Sequence, residues 1–387
     1  MPDLRRQLNH YAKGLGFDLV KVTTAHALDE TKLELESRLS AGIYSPWAVG
    51  SPRERTTPTL LLPGAQSVIM VAMAYSVDPV YQQQPHQDDP VGDDRHRAEL
   101  SRYAWGQDYH RVMIPRLQNL AAFLETAIPG AETLVMVDSG PLAEKALAYR
   151  AGLGFFGWNS CIITEELGSW VFLGTLLTTL ALEPDPFRPR ICQECGRCMQ
   201  ACPTGAIVAP YVVNPELCLS QVTQMRGSIP LEFRKPLGAR LFGCDTCQAV
   251  CPHNDPAAIG YGNHGEFQPH PLIGTAPLLE MVVSLTNRNF RNTFGQTAAG
   301  WRGKKVLQRN ALINLGNTGD PAVIPLLAKA LEDPTEPVRA SAIWSLGNIG
   351  RIHGEDVKRT VREILTKAQS RETASSLHQE ILAALDI

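Results

Sequence analysis

Cysteines are the side chains in this sequence whose number and spacing most clearly predict chemistry. The chain has nine, and eight of them fall between positions 192 and 251. The first group reads Cys192-Gln-Glu-Cys195-Gly-Arg-Cys198-Met-Gln-Ala-Cys202-Pro203, which is the C-x2-C-x2-C-x3-C-P run of bacterial ferredoxins. The second reads Cys244-Asp-Thr-Cys247-Gln-Ala-Val-Cys251-Pro252, and Cys218 precedes it by 26 positions. This spacing predicts iron–sulfur clusters, because two-residue spacers let successive thiolates converge on one cluster.

Eight thiolates suffice for two 4Fe-4S clusters, and the Cys before each Pro ligates the other cluster in motifs of this kind. We assign the first cluster to Cys192, Cys195, Cys198 and Cys251. We assign the second cluster to Cys202, Cys218, Cys244 and Cys247. Structural zinc is the alternative, but its separated C-x2-C pairs leave the third Cys and the Cys-Pro without a role. Cys161 lies outside the pattern and is predicted to be a small buried hydrophobic residue.

One carboxylate in the N-terminal half is a candidate proton donor. Asp138 follows a strand predicted over 133–137 and precedes a Ser-Gly-Pro turn and a helix predicted over 142–151. Active-site residues of open sheets tend to lie at such strand ends, and a carboxyl in an apolar pocket can donate a proton near neutral pH. The alternative is an N-cap of the following helix, and position alone favours that alternative.

Two further features of this half carry weaker signals. The segment 102–110 is dense in aromatic and ionisable side chains, but it also fits a surface-to-core transition, and a single His110 is more often a satisfied core histidine than a ligand. Gly152-Leu-Gly-Phe-Phe-Gly157 matches the dinucleotide pattern G-x-G-x-x-G. That pattern requires a strand before it and a helix after it, whereas here a helix precedes and the strand-like segment 161–164 follows, so we reject it.

The elements that would position these side chains mix helices and strands. Strands are predicted over 17–22, 67–74, 133–137 and 169–179, with helices between them, which indicates an α/β or α+β domain. The 387 residues are 44% apolar, which excludes disorder as the main state, and no apolar run is long enough to span a membrane. The amphipathic start of the chain does not resemble a secretory leader. The net charge of −3 argues, at first, against a nucleic-acid partner.

The C-terminal region argues for a nucleic-acid partner in spite of the net charge. Leu315-Gly-Asn-Thr-Gly319 recurs 31 positions later as Leu346-Gly-Asn-Ile-Gly350, which predicts a short HEAT-like helical repeat. The span 281–319 has six cations and no acidic residue, together with amide and aromatic side chains. Four further basic side chains, against a single Glu, lie between Cys218 and Cys244. Because such a mixture suits phosphates, riboses and exposed bases, we expect RNA binding, although a solvated charged face is the alternative.

Taken together, the ordered motifs resemble one family. Arg55-Thr-Thr-Pro-Thr-Leu-Leu-Leu-Pro63 comes first, and Tyr103-Ala-Trp-Gly-Gln-Asp-Tyr-His110 and Val137-Asp-Ser-Gly140 follow. Ala151-Gly-Leu-Gly-Phe155, the cysteine groups, Trp301-Arg-Gly-Lys-Lys305 and the repeat complete the order. Over nearly its whole length the chain is similar to epoxyqueuosine reductase, an enzyme of queuosine synthesis in tRNA.

The resemblance implies an α+β fold with a cobalamin domain related to nitroreductases and reductive dehalogenases, a ferredoxin-like two-cluster domain and a HEAT-like domain. It implies that reduced Co(I) cobalamin removes the epoxide oxygen of wobble-position epoxyqueuosine as water, with Asp138 as proton donor. The implied cobalamin contacts are Arg55, Ser101, Asp138, Asn159, Ser160, Ile162, Ser169, Ser220 and Asp245. The implied tRNA contacts are Arg226, Asn287, Arg288, Asn289, Arg291, Arg302, Lys304, Lys305 and Arg309. Some relatives carry Cys where this chain has Ser101, so a thiol role is not available there.

The resemblance also implies that three regions of the chain have separate functions. Residues 1–185 would bind cobalamin and catalyse, 186–264 would hold two 4Fe-4S clusters, and 265–387 would bind tRNA. We expect a cytoplasmic monomer with no membrane contact that takes electrons from a flavodoxin, a ferredoxin or a similar donor. Two alternatives are a cobalamin-dependent reductase of a small epoxide or halogenated substrate, and an iron–sulfur electron-transfer adaptor.

Overall fold

A computed structural model describes residues 2–77, 96–187 and 190–387. Contacts divide these residues into two compact units. The first unit contains the described residues up to 77 and those within 107–218 and 246–268. The second contains residues 96–106, 219–245 and 269–387. The functional division at 185 and 264 stays a prediction.

The strands of the described residues are short except in one sheet. They are β1 Leu19–Thr24, β2 Ser67–Ala74, β3 Glu99–Leu100, β4 Thr133–Met136, β5 Phe155–Phe156, β6 Ile162–Ile163, β7 Val171–Thr178, β8 Ile207–Ala209, β9 Val212–Val213 and β10 Arg240–Phe242. The helices up to residue 249 are α1 Pro2–Gly14, α2 Asp29–Ser40, α3 Pro52–Thr56, α4 Tyr109–Ala127, α5 Glu144–Arg150, α6 Arg197–Ala201, α7 Leu219–Gln224, α8 Leu231–Arg234 and α9 Thr246–Ala249. The later helices are α10 Leu279–Val283, α11 Asn287–Asn292, α12 Lys304–Thr318, α13 Ile324–Ala330, α14 Glu336–Ile352, α15 Glu355–Gln369 and α16 Ser375–Leu385.

The first unit is built on a four-stranded antiparallel sheet in the order β1-β2-β7-β4. Every residue of β2 is buried, which explains its continuous apolar sequence instead of an alternating one. On one face, Val68, Met70 and Ala72 pack with Leu147 and its neighbours in α5. The predicted α+β class is therefore confirmed for this unit.

The predicted strands agree closely with the observed ones, and two consequences follow. Because β4 ends at Met136, Asp138 lies two residues beyond the strand. Because the sheet is antiparallel, the rule for open parallel sheets that singled out Asp138 does not apply to it. In addition, α5 precedes Gly152–Gly157 and the short strands β5 and β6 overlap or follow it, as the rejection of a dinucleotide site requires.

The second unit contains the predicted helical repeat, in which α12 and α14 carry the recurring motif. A Cβ on Gly316 would lie 2.6 Å from Ser345 Cβ in α14, and a Cβ on Gly347 would lie 2.8 Å from Ala384 Cβ in α16. The equivalent glycines thus let each helix approach the next one closely. The motif asparagines also act alike, since Asn348 Nδ2 donates to Gly316 O at 3.0 Å and Asn317 Nδ2 donates to Arg234 O at 2.8 Å.

In residues 2–77, 96–187 and 190–387, none of the helices has the length and apolar character needed to span a membrane.

Candidate active site and cysteine segment

Asp138 is exposed and has a strained backbone. Its φ of +55° lies in the left-handed region, which is uncommon for a residue other than glycine. Its Oδ2 accepts a hydrogen bond from Tyr109 Oη at 2.6 Å. The following helix, α5, has Ala143 at its N-cap, so Asp138 does not cap it. The expectation of an apolar pocket around Asp138 is wrong as well, because this side chain faces solvent.

The enclosed carboxyl group of this site belongs to Glu144, the first residue of α5. Its Oε2 accepts the Asp138 amide hydrogen at 2.8 Å, and its Oε1 accepts from Thr175 Oγ1 in β7, also at 2.8 Å. Burial raises the pKa of Glu144 to about 7, against the lowering effect of these two hydrogen bonds. Glu144 carries no motif in the sequence, and only its place six residues after Asp138 could have drawn attention to it.

Tyr109 is held rigidly at the start of α4. Its ring stacks on Phe172 of β7 with centroids 4.3 Å apart, and on His110 with centroids 4.2 Å apart. Asp108 caps α4 by accepting from the His110 amide at 3.0 Å and also lies 2.8 Å from His110 Nδ1. This carboxylate raises the pKa of His110, against the lowering effect of burial. The segment 102–110 therefore ends in an organised cluster beside Asp138, where the sequence had left its role open.

Arg55 lies next to the same loop and has unsatisfied polar atoms nearby. Its carbonyl accepts the Ala143 amide hydrogen at 2.8 Å, which ties residue 55 to the start of α5. Arg55 Nε and Tyr44 Oη are both buried and have no hydrogen-bond partner in the part of the chain that the structure describes. Buried polar atoms are nearly always satisfied, so this pair fits a polar group supplied by a bound molecule.

The other predicted cobalamin contacts of the first unit lie where the sheet region meets the cysteine segment. Asn159 Nδ2 donates to Cys247 O at 3.3 Å, and Ser160, with φ +58°, donates through Oγ to Tyr211 O at 2.6 Å. Ser169 Oγ accepts from Asn254 Nδ2 at 2.8 Å and from Gln248 Nε2 at 2.9 Å. Ile162 is buried in β6. Asn159 and Ser169 thus connect the segment between β5 and β7 directly to the chain around the second cysteine motif.

The three predicted cobalamin contacts of the second unit show different surroundings. Ser101 is buried and donates through Oγ to Asp245, whose other carboxylate oxygen accepts the Arg102 amide hydrogen at 2.8 Å. Burial raises the pKa of Asp245. Ser220 is partly buried, and its carbonyl accepts from Gln224 Nε2 at 2.8 Å. Ser101 and Asp245 are therefore brought together, and their contact with a cofactor stays a prediction.

The four cysteines assigned to the first cluster influence one another. Burial raises the pKa of the Cys251 thiol, and the charges of Cys192, Cys195 and Cys198 raise it further. Cys251 therefore lies within electrostatic reach of the other three, and their ligation of one cluster stays a prediction. Of the second set, Cys202 is partly buried, but amide hydrogen bonds from Thr204 and Ala206 outweigh the effect of burial and lower its pKa. Such bonds stabilise the thiolate form that ligates iron.

The predicted tRNA contacts of the second unit fall into an exposed group and a buried residue. Asn287, Arg288, Asn289 and Arg291 are exposed on α11, and Arg226 is exposed after α7. Burial and the charge of Arg226 lower the pKa of Arg302, whose guanidinium lies 3.6 Å from the centre of the Trp301 ring. Lys304 is partly buried and Lys305 pairs with Asp333.

Arg309 corrects one prediction. It is 1% exposed and donates to Met225 O at 2.7 Å and to Gly227 O at 2.6 Å. Its guanidinium binds the chain's own carbonyls, so the predicted tRNA contact at Arg309 is wrong.

Comparison with known proteins finds a matching family model for each of three regions of the chain. Residues 55–139 match the family model described as epoxyqueuosine reductase QueG, DUF1730, residues 191–254 match a 4Fe-4S double cluster binding domain, and residues 302–380 match HEAT repeats. The second and third matches confirm the predicted iron–sulfur segment and the HEAT-like repeat.

Individual relatives match over most of the chain. The chain is 39% identical over 349 residues to the epoxyqueuosine reductase of Bacillus subtilis (strain 168), which covers 90% of this chain and 88% of that relative. It is 37% identical, with a TM-score of 0.90, to a crystal structure of epoxyqueuosine reductase with a tRNA-Tyr epoxyqueuosine-modified stem loop, over 99% of this chain and 98% of that one. A Bacillus subtilis epoxyqueuosine reductase structure with its catalytic aspartate loop swung out of the active site is 36% identical with a TM-score of 0.89, over 99% of this chain and 98% of that one.

Proposed function

This chain belongs to the epoxyqueuosine reductase family, and we propose on that basis that it reduces epoxyqueuosine at the wobble position of tRNA to queuosine. The reaction takes two electrons and two protons, converts the epoxide to an alkene and releases the oxygen as water. The observation that carries the proposal is the arrangement of Asp138, a strained and exposed carboxylate held by Tyr109 and Glu144. Strained backbone of this kind clusters at active sites.

In this proposal Asp138 delivers a proton to the epoxide oxygen as the carbon–oxygen bond breaks. Its exposure lets a substrate reach it, and the hydrogen bond from Tyr109 Oη fixes the direction of its carboxyl group. Tyr109 cannot turn freely because its ring is stacked on Phe172. General acid assistance of this type contributes about 10²–10⁴-fold to a rate. We propose that the loop of Asp138 corresponds to the catalytic aspartate loop of the Bacillus subtilis structure.

Cobalamin is the cofactor in the proposal, and the first unit has side chains that fit it. When bound, cobalamin supplies a strongly reducing Co(I) centre for the epoxide carbon, while the protein orients the reactants and provides the proton. Arg55 Nε and Tyr44 Oη would donate to amide or phosphate groups of the cofactor, which would satisfy both buried atoms. Asn159, Ser160 and Ser169 would present polar groups along the same region, and Ile162 an apolar one.

The cysteine segment supplies electrons in this proposal. Cys192, Cys195, Cys198 and Cys251 would hold one 4Fe-4S cluster, and Cys202, Cys218, Cys244 and Cys247 would hold the other. The bond from Asn159 to Cys247 O and those from Gln248 and Asn254 to Ser169 support a fixed path from this segment to the cofactor region. An external flavodoxin or ferredoxin would be the donor, and the enzyme would act as a monomer in the cytoplasm.

The exposed cations and amides of α11, with Arg226 and Arg302, would bind the tRNA. Their support is the exposure of α11 and the absence of any acidic residue over 281–319. Because phosphate contacts release counterions, binding through these residues would weaken steeply with salt.

The proposal is tested with the full chain, reconstituted with iron, sulfide and cobalamin and reduced chemically without air. We expect conversion of epoxyqueuosine to queuosine in an anticodon stem loop, measured by mass spectrometry of the digested nucleosides, and no conversion when cobalamin is left out. A small epoxide serves as the control substrate. Equal turnover of that epoxide with no binding of the stem loop would contradict the proposal.

A further inference from the structure

Two contacts of different kinds hold the loop between β4 and α5. Tyr109 bonds to the side chain of Asp138, whereas Glu144 accepts the hydrogen bond of its backbone amide. Asp138 is exposed, so burial of its own side chain does not fix its left-handed backbone. The Glu144 contact acts on the strained backbone itself, beside the bond from the Ser139 amide to Val137 O, which spans Asp138.

Glu144 is suited to this task because its other oxygen is anchored. Thr175, which donates to Oε1, is fully buried in β7 and pairs with Met136, the last residue of β4. One carboxyl group thus connects the first turn of α5, an interior strand of the sheet and the Asp138 amide. If the loop lifts, the bond at Oε2 breaks while the one at Oε1 can remain.

We propose that Glu144 is a positioning residue that holds the Asp138 backbone in its left-handed conformation and so determines where the Asp138 carboxyl group is presented. This inference rests on the proposed function, in which Asp138 donates the proton. Glu144 does not touch the substrate and acts only through Asp138.

The same geometry makes the strength with which Glu144 holds the Asp138 loop depend on pH. The charged groups that face Glu144 are Asp138 from the loop and His110 from α4, and His110 is itself paired with Asp108. Burial and the charge of Asp138 raise the pKa of Glu144 to about 7, so the closed loop, which carries Asp138, binds the Glu144 proton more tightly than a lifted one. By linkage, lifting becomes easier as the pH rises from the ordinary Glu value of 4.5 towards about 7, and the loop is held less tightly at every pH above that range.

Three variants test the inference. Glu144→Gln is a neutral isostere that can still accept the Asp138 amide hydrogen and can donate to Thr175 Oγ1. Glu144→Ala removes the acceptor. Glu125→Ala is the matched control, because Glu125 is exposed and its Oε1 accepts from Thr133 Oγ1 at 2.5 Å, at the other end of β4.

The first measurement is hydrogen exchange over residues 137–140 without cofactor, expressed as protection factors at pH 6 and pH 8. We expect the wild-type protection to fall between these two pH values, Glu144→Gln to keep protection at both, and Glu144→Ala to lose it at both. Glu125→Ala should behave as the wild type. Wild-type protection in Glu144→Ala would overturn the inference, as would an equal loss in Glu125→Ala.

The second measurement is turnover of the loaded enzyme. We expect Glu144→Ala to lower kcat at least about tenfold, which corresponds to about 1.4 kcal/mol, while KM for the stem loop stays within about twofold. Glu144→Gln should restore kcat to within about threefold of the wild type. If Glu144→Ala unfolds, Glu144→Gln still tests the inference, because its protection over residues 137–140 should no longer depend on pH. A wild type without turnover would refute the proposed function, whereas the exchange measurement would still test the hold on the loop.

Discussion

Replacing Arg309 by Met distinguishes a buried structural cation from a phosphate contact. Arg309 lies in α12 and is 1% exposed, and its guanidinium donates to Met225 O, Gly227 O and Thr223 O and to Asn310 Oδ1. Met fills much of the same volume and makes none of these bonds. We therefore expect a loss of stability and no selective loss of tRNA binding.

The size of the effect follows from what each acceptor would lose. Thr223 O keeps a bond from Asn310 Nδ2 at 2.7 Å, and Gly227 is exposed, so water can replace the guanidinium there. Met225 O and Asn310 Oδ1 would be left without the donor they now have. Each unsatisfied buried acceptor costs about 1–3 kcal/mol, and removing a buried charge recovers part of that cost. The net loss in the free energy of unfolding should be about 3 kcal/mol.

The free energy of unfolding is measured by urea denaturation monitored by circular dichroism. Stem-loop binding is measured on the folded protein. Arg291→Met is the matched control because Arg291 is exposed on α11. We expect Arg309→Met to shift the unfolding midpoint and leave the dissociation constant unchanged, and Arg291→Met to do the reverse. An Arg309→Met protein of wild-type stability with weakened binding would refute this reasoning.

Three further predictions concern the proposed chemistry. Asp138→Asn keeps the bond from Tyr109 but has no proton to give, so kcat should fall by about 10²–10⁴-fold while bound cobalamin, measured by its visible spectrum, is unchanged; full turnover would exclude Asp138 as the donor. Cys251→Ala should halve the iron content to about four atoms per chain, whereas Cys161→Ala should leave it at about eight, since only Cys251 is among the eight cysteines assigned to the clusters; equal losses of iron would contradict the assignment. Removing both Arg288 and Arg291 should lower the slope of log affinity against log salt by about 1.4, as expected for two contacts to single-stranded RNA, and an unchanged slope would place the phosphates elsewhere.

Local sequence patterns were sufficient where the structure depends on neighbours in the chain. The continuous apolar run of β2 predicted its bounds correctly because a strand buried on both faces needs no polar alternation. The repeated Leu-Gly-Asn motif predicted α12 and α14 because its glycines and asparagines meet the same kinds of partner in successive helices. The cysteine spacing likewise predicted the two-cluster segment, since the ligands are defined by short separations along the chain.

The surroundings of Asp138 could not be predicted in the same way. Its position after a strand was correct, but the bond from its amide to Glu144 exists only because the loop turns back over the first turn of α5. Thr175, which anchors Glu144, comes from a strand 31 residues further along the chain. No periodicity or spacing in the sequence encodes this meeting of loop, helix and strand.

Charge patterning misled the interpretation of Arg309 for a related reason. The span 281–319 contains no acidic residue, so each of its cations looked available to an external anion. Arg309 is buried in α12, and its partners are backbone carbonyls and the Asn310 side-chain amide, which carry no formal charge. A count of formal charges therefore cannot separate a buried cation from an exposed one.

The dependence of Ser169 on Gln248 and Asn254 has a consequence for biosynthesis. All four strands of the main sheet lie before residue 179, but the side chains that bond to Ser169 come from the segment 246–268, after the chain has contributed residues 219–245 to the second unit. A nascent chain on the ribosome thus cannot complete its first unit until about two-thirds of the protein has been translated. Because the second cysteine motif is translated after the whole sheet, delivery of the iron–sulfur clusters that need its thiolates must wait for its synthesis.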